Sequence, residues 1–548
     1  MNRYTNESEI SEYGENKEEL PRVLESLSAD LLSGRITSRD ALQRRKMEVV
    51  KNSDIDFIPS NSAILNHIRE HHGPEIERVL PLLLKKPSRT LSGVAVVAVM
   101  TSPHSCPHGR CVFCPGGDDQ DVPTPQSYTG KEPAAMRGEQ HGFDPQMQVK
   151  KRISQLEKVG HPTDKVEMIM MGGTLPARDS QYQEDFVKGC LDGLNGSPSE
   201  TLKGSQLRNE SSSHRCIGMT FETRPDYCGI GEIDRMLELG VTRVELGVQT
   251  TFDDPLRISR RGHTVQDSID ATGLLKDSGL KVNFHIMPGM PGSTREMDLE
   301  SARRIFEVPN FRPDMIKVYP TLVIEGTELY DMWRSGYYEP LNTNDAAELV
   351  ADIKEIIPPW VRIQRVQRDI PSPLVEAGVK KSNLRQLANE ELKKRDKRCR
   401  CIRCREIGHS TDPRNPTDAD DVELVRRDYD ASDGKEIFLS YEDVQRDILV
   451  GFLRLRIPSE KAHRDEVSND TALVRELKVF GSMVPLGKYF DKSWQHKGFG
   501  GRLLREGEEI ARKEWSRERI LVTAGIGVKE YYRKAGYEKC GPYMAKKI

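Results

Sequence analysis

Two tight groups of thiols are the first chemistry the chain offers. CPHGRCVFC sets Cys106, Cys111 and Cys114 in a C-x4-C-x2-C spacing, and CRCIRC sets Cys399, Cys401 and Cys404 in C-x-C-x2-C. Cysteines so close in sequence pair poorly with one another, and clustered thiolates in a reducing compartment read as metal ligands. Three thiolates can hold three irons of a [4Fe–4S] cluster and leave the fourth iron open, with Phe113 placed to shield it. A zinc knuckle completed by His104 or His108 is the other reading of this first group. The second group has His409 five residues on, which is good zinc spacing for a closed site that staples a linker too small for its own core. His104, His108 or a distant cysteine are alternatives for its fourth ligand, and a second iron–sulfur cluster is the competing assignment. The other four of the ten cysteines are scattered and read as buried thiols.

QHKGFG is the third candidate. Its Gln495, Lys497, Gly498, Phe499 and Gly500 follow the strand-like TALVRELKVFG and open a helix. Exposed N–H groups of a glycine-rich turn, at the positive end of a helix, suit a pyrophosphate. Downstream, YYRKAGY supplies Tyr531 and Tyr532. A phenol can give a proton to a departing thiolate, and aromatic packing accounts for at least one of the pair; Tyr532 is the preferred donor. A fourth candidate is electrostatic. Between Lys393 and Arg405 eight of thirteen residues are Lys or Arg, with Asp396 the one acid, so Arg395, Lys397, Arg398 and Arg400 read as a phosphate-binding surface. Lys85, Lys86, Lys151 and Arg152 are placed to extend it.

The elements that must carry these residues follow from hydrophobic spacing. Residues 1–85 read as a helical region, with Val23, Leu24, Leu27, Leu31 and Leu32 on one face. Residues 86–370 alternate short apolar runs with helical stretches. The strand-like runs are 93–101, 165–173, 216–223, 242–250, 280–289, 314–321 and 360–366, which predicts βαβ units on a parallel sheet, open or barrel-like. The polar stretch 195–214 reads as a solvent loop. Residues 371–420 form a basic, cysteine-rich linker, and a new α/β unit spans 421–548. The 548 residues carry 82 basic and 85 acidic side chains, so a basic surface is local. No apolar run reaches the roughly 18 residues of a membrane span, and the opening MNRYTNESEISEYGENKEEL lacks a secretory signal's apolar core. A soluble, cytoplasmic protein is expected.

The first triplet sits just after the first strand-like run, and this arrangement resembles the radical S-adenosylmethionine (SAM) enzymes. Their signature is C-x3-C-x2-C; here the first gap is four residues. The longer gap followed by Pro115, Gly116 and Gly117, together with MGGTLP (171–176), FETRPD (221–226), ELGVQT (245–250), RRGHTV (260–265), HIMPGMPG (285–292) and KVYPTLV (317–323), resembles the catalytic acetyltransferase subunit of Elongator and its single-chain relatives. The resemblance spans 85–548. It implies a partial (β/α)6 barrel joined through a zinc-binding linker to a GNAT acetyltransferase fold. It also implies that Cys106, Cys111 and Cys114 hold the cluster, that Gly172, Gly173 and Thr174 meet the methionine amino group of SAM, and that Glu222 and Gln249 lie near its nucleoside. Strand ends line the catalytic face of a barrel, in agreement, although tight turns and a polar network explain the same residue types. The family form has His where this chain has Lys478, which bears on proton transfer there and not on the CoA site.

The implied activity is tRNA uridine 5-carboxymethylation. A radical derived from SAM takes hydrogen from the methyl of acetyl-CoA, the new carbon radical adds to carbon 5 of the wobble uridine, and the thioester is hydrolysed. The implied partners are the tRNA anticodon stem-loop, an electron donor and either a second copy of the chain (a homodimer) or Elongator-type subunits. The alternatives are a protein lysine acetyltransferase with the barrel as scaffold, and a non-catalytic tRNA-binding subunit.

Overall fold

The computed structural model describes residues 19–55, 57–84, 93–118, 123–410, 417–481 and 498–548. Lys85, Lys86, Gln495 and Lys497 lie outside that set, and so does the side chain of His409. The chain divides into two compact units, one of Met1–Ala95 with Lys151–Asp164, the other of Val96–Lys150 with Lys165–Ile548. No described helix is long and apolar enough to cross a membrane.

The first unit is helical, as the apolar spacing predicts. Its helices are α1 (Glu19–Leu32), α2 (Arg39–Lys51), α3 (Asn61–His72) and α4 (Ile76–Leu83). Ser38 and Ser60 cap α2 and α3 by accepting the N–H groups of Ala41 and Ala63, which a helix start otherwise leaves unpaired. Leu27, Leu31, Ile64, Ile68 and Leu83 make the shared core. Lys151 and Arg152 belong to this unit, on the helix Pro145–Lys158.

The second unit holds two large sheets. The first runs β1 (Ala95–Met100), β2 (Lys165–Met171), β3 (Arg215–Thr223), β4 (Arg243–Gln249), β5 (Lys281–Ile286) and β6 (Met315–Val318). After β7 (Val323–Ile324) comes β8 (Arg362–Val366), and β7 pairs with β9 (Val375–Ala377) in a small ribbon. The order β1-β2-β3-β4-β5-β6-β8 makes seven strands, matching the seven apolar runs and one more than a (β/α)6 barrel has, and β2 through β8 pair in parallel. Helices such as Val265–Asp277 and Arg295–Glu307 return the chain between strands, started by the capping threonines Thr264 and Thr294.

One expectation fails here. Within 195–214 the structure has a helix, Leu202–Asn209, capped by Thr201 and burying Leu202, Ser205 and Asn209. Its single buried leucine is too little periodicity to announce a helix, but the cap and Asn209, which holds the Cys216 N–H at 2.7 Å, tie it to β3.

The second sheet is β10 (Glu423–Ala431), β11 (Gly434–Asp443), β12 (Ile448–Ile457), β13 (Thr471–Val479), β14 (Arg519–Val522), β15 (Glu538–Cys540) and β16 (Tyr543–Lys547). It is antiparallel except for the β13–β14 pair, whose ladder covers Thr471–Val474 alone and leaves the last five residues of β13 unpaired on that side among the described residues. A buried ionic cluster joins the two sheets. Arg475 grips Asp314 at 2.5 and 2.8 Å and Glu436 at 2.9 Å. Lys276 and Arg456 approach Glu436 at 3.4 and 3.1 Å, and Arg456 meets Asp277 at 2.6 Å. Burial acts to raise the Asp314 pKa, yet Arg475, Lys276 and Arg454 hold it well below the usual carboxylate range. Burial pushes Lys276 down to about 8, against the pull of Glu436 and Asp314.

Candidate active site

The ends of the parallel strands open onto a cavity of about 180 Å³ lined by Cys106, Cys111 and Cys114. Cys111 Sγ accepts an N–H from Arg261 Nη1 at 3.4 Å and lies 3.1 Å from His108 Nε2. Cys114 Sγ accepts the backbone N–H of Ser127 at 3.0 Å, and Cys106 Sγ lies 3.9 Å from Thr174 Oγ1. Burial pushes the Cys114 thiol up to about 12. Burial, with Arg224 and Arg261 nearby, pushes His108 down to about 3, which keeps its ring neutral. His108 thus belongs to this cavity and is not the missing ligand of the second triplet.

The spread of the sulfurs separates the two triplets. Around one zinc ion with bonds of about 2.3 Å, tetrahedral sulfurs stand about 3.8 Å apart. Among the described residues, the cysteine sulfurs that all fall within 4.8 Å of one another are those of Cys399, Cys401 and Cys404. The first triplet is more open, as thiolates on different irons must be, and N–H groups aimed at its sulfurs are the donors that tune such clusters.

At the end of β2 the backbone itself lines the cavity. Gly172 has φ +127°, and a Cβ there would stand 2.0 Å from Thr101 Oγ1; Gly173 has φ +103°. A side chain on Gly172 would collide with Thr101, and one on Gly173 would project toward Cys106 into the cavity, so both positions admit glycine. Gln249, ending β4, is a non-glycine residue at φ +68°, and its buried Oε1 has no hydrogen-bond partner among the described residues. A strained residue presenting an unsatisfied acceptor to a cavity is the mark of a ligand contact. Glu222, ending β3, accepts from the Tyr128 hydroxyl at 2.7 Å and lies 3.7 Å from Lys317 Nζ.

Sequence reading missed a buried charge cluster in the same cavity. Glu245 on β4 accepts from Lys317 Nζ, and His285 Nε2 lies 2.8 Å from the same Oε2. Burial acts to raise the Glu245 pKa, but Lys317 and His285 hold it well below its ordinary value. The signal was available: a glutamate in TRVELGVQT and a lysine in DMIKVYPT interrupt strands that are otherwise wholly buried.

The glycine turn meets the end of β13, where a Cβ on Gly500 would stand 3.7 Å from Val479 Cγ2. Gly498, at φ +77°, caps the helix Phe499–Trp515, and among the described residues nothing lies within 4 Å of its Cβ position. Phe499 is buried and anchors the turn edge-on against Tyr441, the rings 4.8 Å apart. A Cβ on Gly500 would come 3.1 Å from the Tyr531 hydroxyl. Tyr531 is 45% exposed, whereas Tyr532 is 6% exposed and packs on Tyr537 in the core. Tyr532 is thus packed in the core, and Tyr531 is the phenol that stands at the glycine turn.

The radical SAM superfamily profile matches residues 100–305, and the radical SAM C-terminal domain profile matches residues 313–394. The chain is 53% identical to the tRNA uridine(34) acetyltransferase of Methanocaldococcus jannaschii, over 96% of this chain and 97% of that protein. It is 47% identical to human Elongator complex protein 3, over 87% of this chain and 88% of the human one. The solved archaeal Elp3 of Methanocaldococcus infernus, with its N-terminus deleted, matches 84% of this chain and all of its own at TM-score 0.75 and 50% identity. The chain belongs to the Elongator complex protein 3 family of radical SAM proteins. The strand-end cavity is thus on a radical SAM parallel sheet, and this superfamily uses a [4Fe–4S] cluster and SAM. The open cysteine triplet, the glycine cradle and the orphaned Gln249 oxygen fit that pair.

The basic stretch of this Elongator-family chain is less bare than its sequence. Arg405 is 2% exposed and pairs with Glu442 and Asp447. Arg395 pairs with Asp352, Lys397 with Glu355 at 3.2 Å, and Arg398 and Arg400 reach Asp447 at 3.5 and 3.7 Å. Four acids from elsewhere, Asp352, Glu355, Glu442 and Asp447, offset part of the local excess of positive charge. Lys151 is exposed, and Arg152 donates to Gln155. Neutralising Arg398 and Arg400, whose pairs are the loosest, is expected to flatten the salt dependence of tRNA binding by up to about 0.9 in log–log slope per lost phosphate contact. Adding Arg395 and Lys397 should change it less, and filter binding across salt checks both statements.

Proposed function

We propose that the protein converts the wobble uridine of tRNA to 5-carboxymethyluridine, using SAM and acetyl-CoA. The observation that carries this reading is one compact unit with both a cysteine-lined cavity and a glycine-started helix beside an unpaired strand end. The relatives are named for tRNA uridine(34) acetyltransfer and for Elongator, which supports the substrate class.

In the net reaction the acetyl methyl gives one hydrogen to 5′-deoxyadenosine, its carbon bonds to carbon 5 of uridine, and the carbon 5 hydrogen leaves as a proton with one electron returned. SAM, cleaved to methionine and 5′-deoxyadenosine, is the oxidant, and water hydrolyses the thioester to a carboxylate and free CoA. The cluster and SAM, when bound, supply a carbon radical able to remove hydrogen from that methyl. The chain's own groups do the rest. Gly172, Gly173 and Thr174 receive the methionine end of SAM, and Gln249 and Glu222 its nucleoside. His108 and Arg261 hold Cys111 in orientation. The C-terminal sheet is a GNAT-type acyl-CoA site: backbone N–H groups from Gly498 to Gly500 receive the pyrophosphate, and the unpaired edge of β13 offers backbone groups to the amides of the CoA arm. Gln495 and Lys497 complete that motif. Tyr531 stands ready to protonate the leaving thiolate. Cys399, Cys401 and Cys404 hold a structural Zn2+.

Two outcomes test this reading. Anaerobic incubation with reductant, SAM, deuterated acetyl-CoA and tRNA should give a carboxymethylated wobble uridine by mass spectrometry, with deuterium in 5′-deoxyadenosine. Product formed without that label transfer would refute hydrogen removal from the acetyl methyl. For the phenol, Tyr531→Phe should slow thioester cleavage by about 10²-fold without altering thermal stability. Tyr532→Phe should lower the melting temperature and leave turnover near wild type; the reverse pattern would restore Tyr532.

A further inference from the structure

Two imidazoles and a carboxylate converge in the N-terminal helical unit, on residues the proposed reaction does not use. Glu25 stands on α1, and His67 and His72 on α3. Glu25 Oε2 lies 2.9 Å from His67 Nε2 and 3.5 Å from His72 Nε2, and all three donor atoms fall within 4.8 Å of one another. Helix geometry does not bring His67 and His72 together by itself, because a spacing of five residues sets side chains about 140° apart around the axis. The carboxylate of the opposing helix is the point on which both rings turn.

His67 makes the closer ion pair with Glu25, and His72 makes a looser one at 3.5 Å. His72 Nε2 is buried and, among the described residues, has no partner at hydrogen-bond geometry. A ring nitrogen withdrawn from water needs a proton acceptor or a cation in front of it. The scaffold beneath is firm, since Leu27 on α1 packs with Ile64 and Ile68 on α3, all essentially inaccessible. His71 adds support. Its ring stacks on His67 with centroids 4.3 Å apart, and its Nδ1 contacts the His67 carbonyl oxygen at 2.9 Å. Such outer contacts fix ligand rings in metal sites.

We propose that Glu25, His67 and His72 form a zinc site, with solvent taking the fourth position at the exposed Glu25 edge. Two imidazoles and one carboxylate are a zinc donor set, and nitrogen donors disfavour magnesium and calcium. Tetrahedral bonds of about 2.0–2.1 Å place donor atoms about 3.3–3.4 Å apart, a span that the two observed separations bracket. The ion joins α1 to α3, so it braces the helical unit from outside its apolar core.

The test uses full-length protein dialysed against Zn2+, with metal content measured by mass spectrometry. Relative to wild type, His67→Gln/His72→Gln should lose one zinc per chain, and Cys401→Ser/Cys404→Ser should retain it, which keeps this site distinct from the cysteine triplet. Wild-type crystals grown with Zn2+ should show an anomalous peak at the zinc edge within bonding distance of Glu25, His67 and His72. Equal zinc content in wild type and the histidine variant, or crystals without that peak, overturns the proposal and leaves a Glu–His ion pair only.

Discussion

Purified protein carrying Cys111→Ser is expected to contain almost no cluster iron, to cleave no SAM, and to bind tRNA nearly as tightly as wild type. The cysteine is 6% exposed, so its sulfur has no water to replace it as a partner. Serine is nearly isosteric but is not a thiolate, and a site with two thiolates cannot hold three irons of a cluster. The neighbours survive the change, because Arg261 also donates to the Gly247 carbonyl at 3.2 Å and stays placed without the sulfur. Loss of iron with retained tRNA affinity separates the cluster from folding and from RNA binding. Wild-type iron and SAM cleavage in this variant would sink the cluster assignment.

Gly500→Glu should abolish tRNA modification while the cluster assembles normally. A Cβ at this position already crowds the Tyr531 hydroxyl at 3.1 Å, so the phenol must shift. The carboxylate then stands in the first turn of Phe499–Trp515, where the helix dipole would otherwise favour a pyrophosphate, and opposes it by like charge. Iron content and uncoupled SAM cleavage report on the barrel, and 5-carboxymethyluridine formation reports on the whole reaction. Modification at the wild-type rate would move the acyl-CoA site away from Gly498 and Gly500.

Much of the scaffold was legible because apolar runs and glycines act locally. Each of the seven strand-like runs between 93 and 366 became a strand of the parallel sheet, since β-branched residues bounded by turn formers leave few other choices. Gly172 and Gly173 were legible as a turn, and the structure adds why no side chain is admitted. Pairings between distant residues were not legible. Asp352, Glu355 and Asp447 offset the basic stretch from positions 40 residues or more away in sequence, and no local count anticipates them. Glu245, His285 and Lys317 meet across neighbouring parallel strands, His285 opposite Lys317 and Glu245 two residues back, opposite Asn283. The choice between Tyr531 and Tyr532 turned on which face of a short helix, Lys529–Lys534, packs inward.

The ionic cluster around Asp314 has a consequence for anyone who would take this protein apart. Arg475 and Glu436 come from the second sheet, Asp314 precedes β6, and Lys276 and Asp277 end a helix of the first. Expressed alone, either half would carry charges shaped for a partner that is no longer there, and burying an unmatched charge is far costlier than leaving it in water. The parallel-sheet half and the C-terminal half are thus not cassettes that can be swapped between relatives at the linker. A chimera must take both sides of this contact from one parent, and a minimal catalytic fragment has to begin before β1 and run to the end of the second sheet.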